Sequence, residues 1–361
     1  MMPLNVIHAL MWHTPPVPQR VRFYMDHCIH VLGGSPIQHR DKVTSNAVCA
    51  NLSPLLLLHP VHLPSIVFTP SSYRRQIARS EGVLANGTVL AGLAPVDCSK
   101  GRVLSFIAHI DDDLLFMNPS IWRAITGGKC VRTVTTTAGD AGLGQKHSSY
   151  WKGREAGHRA AYADMIGVAN SSWAFGDAGV AGRSILMATS TANPKVSLVW
   201  MRLPDGGVKG GGFRKTGSVS LQKLWNGNAT SLSALDGSAT YTRDELQGTL
   251  REIMSDFEPT EIKTLNYVNE TGDHPDHFIT ARFVQAAVVR TPSGDLSARL
   301  TSYIGYPVDR LPANVNGTEL TAKESAWYTY AALDKHMCKT PKSCATNFIG
   351  PWLSREYTVT N

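Results

Sequence analysis

Short apolar runs alternate along the chain with longer segments of helical period. Residues 103–108 are apolar except for Ser105, the pattern of a strand buried on both faces. Residues 131–137 are β-branched apart from Arg132 and read as a second strand. Residues 197–201, 262–268 and 300–304 are strand-like as well. Between these runs, residues 114–125 (interrupted by Pro119), 150–168, 242–257, 277–289 and 320–333 are spaced as helices. Thr242 with Glu245 three residues on is a capping-box signature. On 150–168, Arg154, Glu155, Arg159 and Asp164 mark the polar faces. Residues 202–212 form a glycine-rich loop. Strand–helix alternation predicts an α/β layered fold with a mostly parallel sheet, whose sites collect at the carboxyl ends of strands.

Residues 1–78 break the pattern. They are rich in His and Pro, hold Cys28 and Cys49, and show no sustained period. They read as a poorly ordered N-terminal extension preceding one domain over 79–361. The leucine run 55–58 lies too far from Met1 for an ordinary signal peptide. With 361 residues, 43% hydrophobic and 17% charged, the chain is globular and can bury a large core. The net charge is +7 and the isoelectric point about 9.1, but Lys and Arg are scattered. That excludes a nucleic-acid tract as a partner signal and suits a surface tolerant of anionic glycans or headgroups. No apolar stretch reaches 18 residues, so no transmembrane helix is expected.

The six cysteines form no C-x-x-C pair, so a structural zinc site is not expected. Cys338 and Cys344 bracket a turn-prone segment. Cys98 and Cys130 each precede a strand, and adjacent strand starts would bring them into bonding range. Two disulfides are the candidates, with buried free thiols as the alternative. Glycosylation sequons begin at Asn51, Asn86, Asn170, Asn228, Asn269 and Asn316. Together with pairable cysteines they lean toward a secreted glycoprotein.

Two clusters carry chemistry. His109-Ile110-Asp111-Asp112-Asp113 follows the first strand, and His274-Pro275-Asp276-His277 stands between a later strand and a helix. A catalytic zinc takes three ligands from His, Asp, Glu or Cys and leaves a position open. His109 and Asp112, three apart on a turn, can reach one ion, and His277 can supply the third ligand. Asp111 is then free to act as general base. His274 is placed to stabilise an oxyanion or protonate a leaving amine. Asp276 could orient a histidine. Either cluster alone is weak: the acids could be helix-capping groups and the histidines surface residues. Both at strand ends of one β/α chain make a metal site the stronger reading. The loop 206–212 lacks the order of a phosphate-binding loop.

His109–Asp113 with Leu114-Leu115-Phe116 resembles the A-H-P-D-D-E signature of the PIG-L/LmbE family of zinc-dependent de-N-acetylases, and 274–277 resembles its H-x-D-H signature. Thr135–Asp140 resembles its T-x-G-E turn, and Arg154-Glu155 its Arg/Glu-bearing helix. Residues 111–116, 201–206 and 236–242 resemble secreted bacterial and fungal members. The resemblance runs from about Cys98 to the C-terminus. It implies a Rossmann-like three-layer α/β fold and one zinc ion per chain held by His109, Asp112 and His277. Asp111 would be the base and His274 the oxyanion or acid partner. It further implies that Asp113 and Asp276 support the ligands from behind, and that Asp140 and Arg154 contact substrate. The expected reaction is removal of the N-acetyl group from an N-acetylglucosamine-type sugar or conjugate, N-acetylglucosaminyl-phosphatidylinositol-like substrates among them. Three positions depart from the pattern: Ile110 for proline, Asp113 for glutamate, and Gly272 where some members carry tyrosine. They support the rival reading of a glycan-binding module with weakened turnover; a third reading is deacylation of another amide.

Overall fold

The computed structural model describes residues 96–168, 172–288 and 296–359, all within the unit Ile66–Asn361. The extension expected over residues 1–78, Cys28, Cys49 and the sequons at Asn51, Asn86 and Asn170 lie outside the described residues.

The elements are β1 (Arg102–Ile107), α1 (Asp112–Phe116), α2 (Ser120–Thr126), β2 (Cys130–Thr137), α3 (Ser148–Ile166), β3 (Trp173–Asp177), β4 (Leu186–Ser190) and β5 (Val196–Leu203). There follow α4 (Leu221–Trp225), β6 (Leu232–Ser233), β7 (Thr240–Tyr241), α5 (Arg243–Phe257), β8 (Glu261–Leu265), α6 (Pro275–Val288), β9 (Leu300–Tyr303), α7 (Gly317–Ala331), α8 (Pro341–Ala345) and α9 (Gly350–Leu353). Seven strands form one sheet in the order β3-β4-β5-β2-β1-β8-β9, and β6 pairs with β7 in a small hairpin. The five strands from β5 to β9 run parallel, and β4 and β3 add an antiparallel edge.

Strand side chains alternate between two cores. Val103, Ile107, Val131, Leu198 and Trp200 pack on one face with α2, α3 and α7. Leu104, Phe106, Val134, Val199 and Met201 pack on the other with α4, α5 and α6. This three-layer arrangement is why β1 and β2 read as near-continuous apolar or β-branched runs: both faces are covered. Helices α3 and α7 approach so closely that a Cβ on Gly157 would stand 2.7 Å from the Tyr330 carbonyl oxygen. Thr242 and Glu245 form the expected capping box of α5.

Three expectations are adjusted. The helix expected over 114–125 is two helices, α1 and α2, separated around Pro119, whose ring removes a helical donor. The strand expected over 262–268 ends at Leu265. The edge pair β3–β4 was not foreseen; β3 is only half-buried and carries Gly176 and Asp177, so neither alternation nor a buried run marks it. Both candidate disulfides form, Cys98–Cys130 at the starts of neighbouring β1 and β2 and Cys338–Cys344 across the turn after α7. No helix among the described residues is long and apolar enough to cross a membrane.

The topology selects a location for chemistry. From β1 the chain moves outward through β2 toward β5, then returns to the far side of β1 as β8 and β9. The carboxyl ends of β1 and β8 therefore border the point where strand order reverses, the usual ligand crevice of open α/β sheets. Both His/Asp clusters leave the sheet there.

Candidate metal centre

The chain turns as soon as β1 ends. Asp112 folds back so that Oδ2 accepts the Ala108 N–H at 3.0 Å and the His109 N–H at 2.7 Å. Oδ1 is left 3.5 Å from His109 Nδ1 and 3.1 Å from His277 Nε2. The two ring nitrogens lie 3.2 Å apart. Zinc binds imidazole nitrogen and carboxylate oxygen at about 2.0–2.2 Å, so tetrahedral ligand atoms stand about 3.4 Å from one another. The triangle of donor atoms matches that edge to within a few tenths of an ångström, and all three residues are buried.

The surroundings set the tautomers this needs. His277 Nδ1 lies 2.7 Å from Asp273 Oδ1. A carboxylate only accepts, so Nδ1 carries a proton, and Nε2 is the nitrogen whose lone pair an ion would take once its own proton is displaced. On His109 the far nitrogen, Nε2, lies 3.4 Å from Asp276 Oδ2 and has no closer partner. Burial disfavours a charged His277, but Asp112 and Asp273 outweigh it and raise the group to about 10. Burial likewise disfavours a charged Asp112, yet His277 and His109 hold it well below the usual carboxylate range. His109 also belongs to a looser grouping with Asp205, His274 and Asp276. There His109 Nε2 lies 3.4 Å from Asp276 Oδ2, and His274 stands 3.8 Å from each of the two acids through different nitrogens. The tighter triangle is the better fit to one ion.

His274 sits beside the triangle, its ring edge-on to His109 at 4.5 Å. Its Nδ1 accepts the Asp276 N–H at 3.2 Å, which leaves the proton on Nε2. Burial, and then the neighbouring His109, push His274 down to about 4, so it is a neutral donor at neutral pH. Asp276 is held by the Gly206 N–H at 2.8 Å. A Cβ on Gly206 would stand 2.5 Å from Asp276 Oδ1, so the close approach of this loop requires glycine.

Asp111 stands outside the triangle and is gripped by Arg154 Nη2 at 2.6 Å. Burial raises its pKa, Arg154 opposes the shift, and Asp112 and Asp334 reinforce it. Arg154, expected at the substrate, is buried. Its Nη1 donates to the Gly139 carbonyl at 2.7 Å, and its Nε lies 2.8 Å from the Tyr330 hydroxyl and 3.0 Å from Asp334 Oδ2. Asp140, also expected at the substrate, is fully buried as a strut: its oxygens accept the Asp205 N–H at 3.0 Å and the Gly144 N–H at 2.8 Å. Asp113 accepts from Tyr162 at 2.7 Å and lies 2.9 Å from His158 Nε2, tying α1 to α3.

Several of these partners were not read from the sequence. Arg154, His158 and Tyr162 recur at i, i+4 and i+8 on α3, a polar stripe on a buried face that periodicity could have flagged. Asp273 lies four residues before His277, just outside the H-x-D-H run that marks the second cluster. Asp205, Asp334 and Tyr306 carry no local signal. Tyr306 begins the turn after β9 and lays its ring 4.8 Å from that of His277 and stacked at 4.7 Å on Trp352.

A sequence model described as PIG-L, GlcNAc-PI de-N-acetylase, matches residues 104–288. No curated protein sequence matches the chain. Among solved structures, an N,N'-diacetylchitobiose deacetylase from Pyrococcus horikoshii is 14% identical, with 80% of this chain and 86% of that chain covered and a TM-score of 0.41. The conserved protein TT1542 from Thermus thermophilus is 16% identical, with 72% and 92% covered and a TM-score of 0.39. A deacetylase of the teicoplanin biosynthesis pathway is 16% identical, with 65% and 85% covered and a TM-score of 0.39.

Proposed function

Since the chain belongs to the PIG-L family of GlcNAc-PI de-N-acetylases, we propose that it removes acetate from an N-acetylglucosamine-type sugar or conjugate, using one zinc ion per chain. His109 Nδ1, Asp112 Oδ1 and His277 Nε2 would hold the ion. When bound, it supplies Lewis-acid chemistry, polarising a carbonyl and lowering the pKa of water to about 7. Asp273 would keep His277 in the ligating tautomer, and Asp276, 3.4 Å from His109 Nε2, would favour a proton on that nitrogen.

The remaining steps fall to this chain's own residues. Asp111 takes the proton of the attacking water as the water oxygen adds to the acetyl carbon. Arg154 holds Asp111 Oδ1, so the carboxylate stays in one orientation with Oδ2 available for the proton. His274 offers its Nε2–H to the oxygen that becomes negative. When the C–N bond breaks, Asp111 returns the proton to the leaving nitrogen, and acetate and the free amine depart. For Arg154 and Asp140 a positioning role is the better reading, because their polar atoms are engaged by Asp111, Asp334, Tyr330 and backbone groups.

The observation that supports this reading best is the triangle of three buried donor atoms 3.1–3.5 Å apart. The test is acetate release from a panel of N-acetylglucosamine conjugates, with metal content measured on the same protein. Zinc-loaded protein should release acetate, lose activity to a chelator and regain it with zinc. Asp111→Ala with zinc restored should be slower by about 10²–10⁴-fold. Full activity in that variant would remove the base assignment; sugar binding without any turnover would favour the glycan-binding module.

The two disulfides fit an oxidising compartment. With the exposed sequons at Asn228, Asn269 and Asn316 they support passage of a 79–361 domain through a secretory route.

A further inference from the structure

The mechanism above leaves one polar group at the site without work. Tyr306 belongs to neither His/Asp cluster, yet its ring stands edge-on to His277 at 4.8 Å and edge-on to His274 at 6.3 Å. Its position is fixed from several sides. The opposite face stacks on Trp352 at 4.7 Å with the planes 11° apart, and Phe116 packs 6.0 Å away. Its backbone N–H donates to Asp273 Oδ1 at 3.1 Å, the same oxygen that orients His277, and its carbonyl accepts from Trp352 Nε1 at 3.1 Å. The ring is thus clamped by backbone and stacking alone. The hydroxyl has no hydrogen-bond partner among the described residues; the residue is half-buried and its ring borders His277 and His274.

A phenol whose ring is locked in place beside His277 and His274 and whose hydroxyl has no protein partner is a donor free to take an acceptor. We propose that Tyr306 is a catalytic residue whose hydroxyl donates a hydrogen bond to the acetyl oxygen of the substrate as that oxygen gains negative charge. The proton stays on the phenol, and no bond of Tyr306 is made or broken. The donor works beside His274, so the developing oxyanion meets two donors rather than one. Preorganisation is the point: stacking on Trp352 and the Asp273 contact remove the rotation that a free tyrosine would have to give up.

This proposal rests on the deacetylase reading, and the experiment separates the two. Tyr306→Phe keeps the ring, its stacking and its backbone contacts and deletes only the donor. Assayed as zinc-loaded protein, it should lose about 10²–10³-fold in kcat, the usual cost of one oxyanion donor, with KM within about threefold of wild type. Metal content and melting temperature should not move. A phosphonamidate mimic of the tetrahedral intermediate should bind the variant weaker by a factor similar to the kcat loss, while the free amino sugar binds both proteins alike. A kcat within threefold of wild type, or equal affinity for the mimic, overturns the role of Tyr306. A structural role would instead appear as lost zinc or lowered melting temperature in the variant, which also overturns it. Wild-type protein that releases no acetate and ignores the mimic overturns the deacetylase reading itself.

Discussion

At the scale of single residues, the proposed site divides its carboxylates into one that would bind the ion and two that would orient its histidines. Asp273 accepts from His277 Nδ1 at 2.7 Å and decides which nitrogen of that ring is free. Asp273→Asn retains the shape but offers an amide that can present either a donor or an acceptor, so the tautomer is no longer enforced. Zinc affinity, measured by competition with a chelator, should fall about 10–100-fold with little change in fold; unchanged affinity would mean that Asp273 serves only the Tyr306 backbone. Arg154 poses a different question. It sits between Asp111 and Asp334 with its side chain almost wholly buried. Arg154→Met leaves two buried carboxylates without a cation and should destabilise the protein by about 3–5 kcal/mol in urea unfolding. Arg154→Lys should not restore activity, because a single ammonium cannot span Asp111, Asp334 and the Gly139 carbonyl as the planar fork does. If lysine restores wild-type kcat, the geometry of the fork is irrelevant to Asp111.

At the scale of elements, the parts of the fold legible in the chain are those where one physical demand dominates. β1 and β2 lie between two helical layers, so burial on both faces writes them as unbroken runs. The capping box of α5 is local chemistry and was read directly. The edge strand β3 and its antiparallel neighbour β4 answer to no single demand and left no pattern. The same division holds in the site. The two His/Asp clusters are legible because each is a short local run at one strand end. The residues that meet them, His158 from α3, Asp334 after α7 and Tyr306 after β9, come from remote segments that only the tertiary fold assembles. Lys323 on α7 is a further case. It is fully buried, and its Nζ donates to the carbonyls of Leu115 at 2.6 Å, Trp352 at 3.1 Å and Arg355 at 2.6 Å, pinning the C-terminal segment to α1. Lys323→Met would orphan all three acceptors and should cost about 3–5 kcal/mol. Burial pulls this lysine down to about 7, against the attraction of Glu356. In the unfolded chain it titrates near its ordinary value of about 10.4. Between those values the unfolded state holds the extra proton, so folding stability should rise with pH across that window, by up to about 1.4 kcal/mol per unit. Lys323→Met should lack that slope. Identical slopes in the two proteins would show that the buried ammonium keeps its proton.

At the scale of the whole molecule, the metal triangle ties together parts of the chain that are far apart in sequence. His109 and Asp112 leave β1, and His277 opens α6 after β8, 168 residues beyond His109. β1 and β8 are neighbours in the sheet, so the ion would join the two halves of the topology at the point where strand order reverses. Without an ion the triangle brings two imidazoles and a carboxylate together in a buried space, and any ligand that binds only the folded state adds its binding free energy to stability. Zinc at about a thousandfold above its dissociation constant contributes about 4 kcal/mol. For a domain of this size that corresponds to a melting temperature higher by on the order of 10 °C. Calorimetry of the zinc-loaded protein, before and after exhaustive chelation, should show a drop of that order that added zinc reverses. Asp112→Asn supplies the control. It removes the anionic ligand while filling the same volume, and its melting temperature should be the same with and without chelator. A wild-type protein whose melting temperature ignores the chelator would mean that the three donor atoms, although well spaced, do not hold an ion that links β1 to β8.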